Sequence, residues 1–85
     1  LTNLDNLKRL AMFAAVGEHG SFTAAADALG LTKAAVSRQV GILEEQLGVQ
    51  LLQRTTRQMS LTEAGQAVLS HARRIVAEGN AVDDV

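Results

Sequence analysis

The chain has 85 residues, nearly half of them hydrophobic but only Phe13 and Phe22 aromatic, so a single small domain with a core of Leu, Val, Ile and Ala is expected, which favours closely packed helices. It contains no cysteine and no apolar run near the ~20 residues of a membrane span, and its start "LTNLDNLKRL" is charged where a signal peptide needs apolar residues; disulfides, thiolate metal sites and membrane spans are excluded, and a cytoplasmic protein is expected. The formal net charge of −1 weighs against a nucleic-acid partner, yet between Thr32 and Ser60 the bases Lys33, Arg38, Arg54 and Arg57 face only the acids Glu44 and Glu45, which leaves room for a local positive face.

Leu4, Leu7, Leu10, Ala11, Phe13 and Ala14 recur at threes and fours, predicting an amphipathic helix over about 4–18, capped by Thr2 or Asn3 and bracketed at its end by Gly17 and Gly20. Ser21 then caps a helix of about two turns whose apolar positions are Phe22, Ala25, Ala26 and Leu29. Gly30 stands where a left-handed closing residue belongs. Thr32 caps a third helix with the stripe Val36, Val40, Leu43 and Leu47, and Gly48 closes it. The segment "VQLLQRTTRQMSL" lacks helical spacing and predicts two short strands, about 51–54 and 58–61, although its middle "TTRQ" carries no Gly, Asn or Pro to mark the turn.

Thr62 caps a last helix that can run nearly to the end of the chain, weakened by Gly79. Gly65, Val68, Ala72, Ile75, Gly79 and Val82 form one stripe along it, and Leu69 and Val76 form a second apolar line. One line can pack on the domain body and the other on a second chain; a single broad buried face fits the pattern equally.

The two helices joined through "GL" are too short to bury their stripes separately and must cross over a core shared with the first. Ala26, Gly30 four residues on and Val36 six later have helix-turn-helix spacing, which an ordinary helical corner also satisfies. The third helix separates these readings. At ~100° per residue, turning Val36, Val40, Leu43 and Leu47 inward points Ala34, Arg38, Gly41 and Glu45 outward, with Ser37 on one flank and Ala35 and Ile42 on the other. A merely solvated face carries long charged side chains. A face that enters a DNA groove needs small residues for approach and one or two donors for base edges, which is what the first turns offer. Glu44 and Glu45 lie ~15 Å further along the axis and need not enter the groove.

The segment from Glu18 to Gly65, with "GSFTAAA", "AVSRQV", "LEEQLGVQLLQRTTR" and "LTEAG" in that order, resembles the N-terminal domain of LysR-type transcriptional regulators. The resemblance implies a mainly α fold, a winged helix-turn-helix over 4–61 (helix-turn-helix about 22–41, wing about 51–61), followed by a linker helix over 62–85 that pairs antiparallel in a homodimer. It implies that Thr32, Lys33, Ala34, Ser37 and Arg38 approach bases or adjacent phosphates in the major groove of double-stranded DNA. Ser21 and Thr23 would meet phosphate, Arg57 would be the wing contact, and Arg54 would either contact DNA or brace the hairpin. The expected dimer interface is Val68, Ala72, Ile75, Gly79 and Val82, and two such domains would read an interrupted inverted repeat.

Three positions depart from the common pattern. Lys33 and Ala34 stand where many relatives have Gln-Pro, Gly41 where a base is frequent and Leu52 where Phe is frequent. A small-molecule effector is expected only on a C-terminal domain beyond this segment. No cofactor, metal or catalytic residue is expected: His19 and His71 stand apart from any carboxylate cluster or nucleophile with catalytic or metal spacing. The competing reading is a winged-helix module that docks on another protein. The small, polar outer face disfavours it, since protein grooves prefer bulky apolar anchors.

Overall fold

A computed structural model of the chain describes residues 3–54 and 59–85. Its elements are α1 (Leu4–His19), α2 (Phe22–Leu29), α3 (Lys33–Leu47), β1 (Leu52–Arg54), β2 (Met59–Leu61) and α4 (Glu63–Ala81), closed by a 3-10 turn at Val82–Asp84. This is the mainly helical order expected, with one antiparallel hairpin in register Leu52 with Leu61, Gln53 with Ser60 and Arg54 with Met59.

Each α-helix starts on a side-chain cap. Asn3, Ser21, Thr32 and Thr62 accept from the backbone N–H groups of Asn6, Ala24, Ala35 and Gly65, satisfying donors that the first helical turn leaves orphaned. Asn3 therefore caps α1, and Thr2 lies outside the described residues. Gly30 closes α2 at φ 69°, a left-handed conformation that a side chain would strain, and Leu31 N–H returns to the Ala26 carbonyl at 2.9 Å.

The core gathers around α1, which packs on α2, α3 and α4. Phe13, Val16, Val36, Val40, Leu43 and Leu51 are its largest fully buried side chains. The expected α3 stripe is buried at Val36, Val40 and Leu43 and partly buried at Leu47. The α1 stripe is corrected at its start: Leu4 is 81% exposed and Leu7 is exposed, while Asn6 is buried. Leu29, expected inside, is exposed as well. These residues have the right spacing, but among the described residues nothing covers them.

The first strand is one residue shorter than expected, starting at Leu52. Leu51, just before β1, is held on both sides: its N–H donates to Glu44 Oε2 at 2.8 Å and its carbonyl accepts from Thr62 N–H at 3.0 Å. Gly65 packs directly on that carbonyl. The expected start at Gln58 lies outside the described residues.

In α4 the two apolar lines are sorted differently from the expectation. Gly65, Leu69 and Ala72 are buried, and Val76 packs partly buried behind them. Ala72 was expected on the partner-facing stripe. It is fully buried inside the chain, because at i+3 from Leu69 it falls on the face turned toward α1. Ile75, Gly79 and Val82 are exposed and Val68 is half-buried.

Candidate nucleic-acid interface

The corner between α2 and α3 sets what α3 presents. Gly30 ends α2 in a left-handed turn, Leu31 bridges, and Thr32 starts α3 by accepting Ala35 N–H at 3.0 Å. With Val36, Val40 and Leu43 buried, the opposite face carries exposed Lys33, Ala34 and Arg38, flanked by half-exposed Ser37. Gly41 continues this face into open space: a methyl group there would meet nothing within 4 Å.

The other expected contact residues lie at element ends. Ser21 caps α2, its Oγ accepting Ala24 N–H at 3.1 Å, and Thr23 is exposed as the second residue of the same helix. A hydroxyl that accepts from a backbone N–H keeps its own proton to donate, so Ser21 and Thr32 serve their helices and still offer a donor outward. Arg54 ends β1 opposite Met59. Arg57 lies outside the described residues. Lys33, Ala34, Ser37 and Arg38 thus share one face; Thr32 caps the start of that helix at the corner, and Ser21 caps α2 at its opposite end.

Sequence reading assigned Glu44 no task beyond lying outside the groove. In the structure its carboxylate accepts from both Leu51 N–H (2.8 Å) and Leu52 N–H (3.3 Å), fastening the root of the hairpin to the far end of α3. It also missed Arg9, whose guanidinium joins α1 to α3 by donating from Nε to Gln39 Oε1 at 2.9 Å and from Nη1 to Asn6 Oδ1 at 2.8 Å. The available signal was Asn6 itself, a polar residue three positions before Arg9 beside the apolar positions of α1. No helix among the described residues is long and apolar enough to cross a membrane.

The family described as "Bacterial regulatory helix-turn-helix protein, lysR family" matches residues 7–66. The HTH-type transcriptional regulator PtxR of Pseudomonas aeruginosa is 52% identical over 81 residues, covering 94% of this chain and 26% of that protein. The HTH-type transcriptional regulator CrgA of Neisseria meningitidis is 52% identical over 73 residues, covering 86% of this chain and 24% of that protein. The chain thus spans about a quarter of the length of these curated relatives. Among solved structures, the BenM DNA-binding domain in complex with catB site 1 DNA superposes with a TM-score of 0.83 at 37% identity, over 92% of this chain and 88% of that one. The CbnR DNA-binding domain in its DNA complex gives a TM-score of 0.80 at 41% identity, over 92% and 90%. The winged helix-turn-helix arrangement is shared with both.

Proposed function

Since the chain belongs to the LysR family of bacterial regulatory helix-turn-helix proteins, we propose that it binds double-stranded DNA sequence-specifically, as the DNA-binding part of a transcriptional regulator acting as a homodimer. The observation that carries this reading is the outer face of α3, where Lys33, Ala34, Ser37 and Arg38 stand clear of a fully buried Val36–Val40 stripe. The small side chains of Ala34 and Ser37 allow close approach to base edges in the major groove, and Arg38 supplies the bidentate donor that guanine accepts. Ser21 and Thr23 hold phosphate from the start of α2 and Thr32 from the start of α3, Lys33 serves phosphate or guanine, and Arg54 and Arg57 act from the wing. The helix starts at Ser21 and Thr32 turn free N–H groups toward phosphates, which offsets the low net charge.

Residues 4–61 form the reading unit, and 62–85 form the linker helix. The dimer face is the exposed line Ile75, Gly79 and Val82, extended by the half-buried Val68. Two reading units set about one DNA turn (~34 Å) apart, or a multiple of it, read an interrupted inverted repeat.

Selection of bound sequences from a random duplex pool tests binding, half-site symmetry and spacing together. With four phosphate contacts per subunit the dimer makes ~8, and the logarithm of its affinity falls against log salt with a slope near −7. An affinity for duplex that stays constant between low and moderate salt, or a pool that returns no common site, overturns the reading.

A further inference from the structure

We propose that Arg9 is a positioning residue for α3: through Gln39 it fixes the rotation of that helix about its axis and so sets where Ser37 and Arg38 point. The inference rests on the DNA-reading role of α3 given above.

Val36, Val40 and Leu43 are fully buried and set which face of α3 turns to the core, while hydrophobic burial, being non-directional, leaves the last few degrees of rotation to directional contacts. The Arg9 bridge is directional. Its Nε–H donates to Gln39 Oε1 at 2.9 Å and its Nη1–H to Asn6 Oδ1 at 2.8 Å, and Asn6 is 2% exposed with its own backbone N–H held by Asn3 Oδ1 at 2.7 Å. Arginine only donates, so both amides must turn their oxygens to it, and the planar guanidinium fixes the angle between them. One end of the bridge is therefore anchored in the buried side of α1. The other holds Gln39, the residue next to Arg38 and one turn beyond Ala35. Asp5, Lys8 and Met12 line the remainder of the recess of about 210 Å³ between the two helices.

A guanidinium projects roughly 8 Å from the axis of its helix, so a rotation of about 10° carries it about 1.5 Å sideways. That exceeds the ~0.5 Å within which a bidentate contact must be held. Phosphate contacts, which tolerate looser geometry, survive such a shift. Loss of the bridge therefore reduces discrimination among sequences more than it reduces affinity for DNA.

The test compares the affinity of the 85-residue chain for its selected duplex and for a random duplex of equal length, at one salt concentration. Arg9→Met is expected to lower the ratio of the two affinities about tenfold while affinity for the random duplex stays within about twofold. Gln39→Glu, whose carboxylate accepts the same Arg9 N–H, is expected to keep the ratio. If circular dichroism shows that Arg9→Met does not fold, Gln39→Met carries the same expectation, since it removes the acceptor and leaves the Arg9–Asn6 bond. An unchanged ratio in the folded variant overturns the proposal, and so does an equal loss on both duplexes, which would make Arg9 a phosphate contact. A wild-type chain without any preferred duplex overturns the DNA reading itself, a result distinct from either of these.

Discussion

One chemical change, glycine to alanine, is expected to have opposite effects at two positions of this fold. At Gly65 an added methyl would be driven into the Leu51 carbonyl oxygen and would stand 2.9 Å from its carbon and 3.2 Å from Leu51 Cα. That peptide cannot retreat freely. Its carbonyl accepts Thr62 N–H at 3.0 Å and its N–H donates to the Glu44 carboxylate at 2.8 Å. Overpacking costs about 1–3 kcal/mol, and weakening these two bonds adds about 1 kcal/mol for the neutral one and about 1.5–3 for the charged one. Relaxation removes part of this sum, and the better helix propensity of alanine returns about 1 kcal/mol, leaving a net loss of about 2–4. At Gly41 the methyl meets nothing within 4 Å, so only the propensity gain remains and the fold gains about 0.5–1 kcal/mol. Urea unfolding followed by circular dichroism, at one fixed protein concentration so that the proposed dimer contributes equally to each variant, measures both. For a chain of this size, with m about 1 kcal/mol/M, Gly41→Ala raises the midpoint by about 0.5 M or more and Gly65→Ala lowers it by about 2 M or more. Equal midpoints for the two variants would refute the account of the Leu51 peptide as a fixed point. Gly17→Ala is a useful intermediate: the nearest atoms to its methyl are Leu69 Cδ1 and Cδ2 at 2.7 Å and Cγ at 3.3 Å, side-chain atoms rather than the carbonyl of a doubly hydrogen-bonded peptide, so its loss should be smaller than that at Gly65.

Thr62→Ala removes both the cap on Gly65 N–H (2.9 Å) and the hydroxyl's bond to the Gln50 carbonyl (2.6 Å), and should cost about 1–2 kcal/mol in the same unfolding experiment. Ile75→Glu places a charge on the exposed line of α4 and should shift the chain toward monomer in sedimentation equilibrium with little change in its circular dichroism spectrum; Leu69→Ala should instead lower stability by about 2–5 kcal/mol, because Leu69 is in the core. Arg38→Ala should cost about 1–3 kcal/mol at the selected site and little on random duplex, whereas Arg57→Ala should weaken both alike, as competition binding at fixed salt will show.

What the sequence made legible is what local chemistry dictates. The capping residues Asn3, Ser21, Thr32 and Thr62 could be read because a hydroxyl or amide three residues ahead of an orphan N–H is a local arrangement, and Gly30 because a left-handed closure needs no distant partner. The outward face of α3 followed from periodicity alone. Periodicity does not tell what stands opposite a stripe, which is why Leu4 and Leu7 were placed in a core that does not reach them. Ala72 shows the same limit: it lies three residues from Leu69 and four from Val68, so it fits either line of α4, and only the packing on α1 decides. The bonds from Arg9 to Gln39 and from Glu44 to Leu51 join different elements, and no spacing rule announces them.

The fastening of Leu51 bears on how such a hairpin can change. Its root is held through backbone atoms, to Glu44 on one side and Thr62 on the other, at a point before the first strand pair forms. The bonds at Leu51 lie outside the segment between Arg54 and Met59, so a change of sequence there leaves this support in place. Sequence between the two strands can therefore vary while the angle of α3 to the body of the domain is kept.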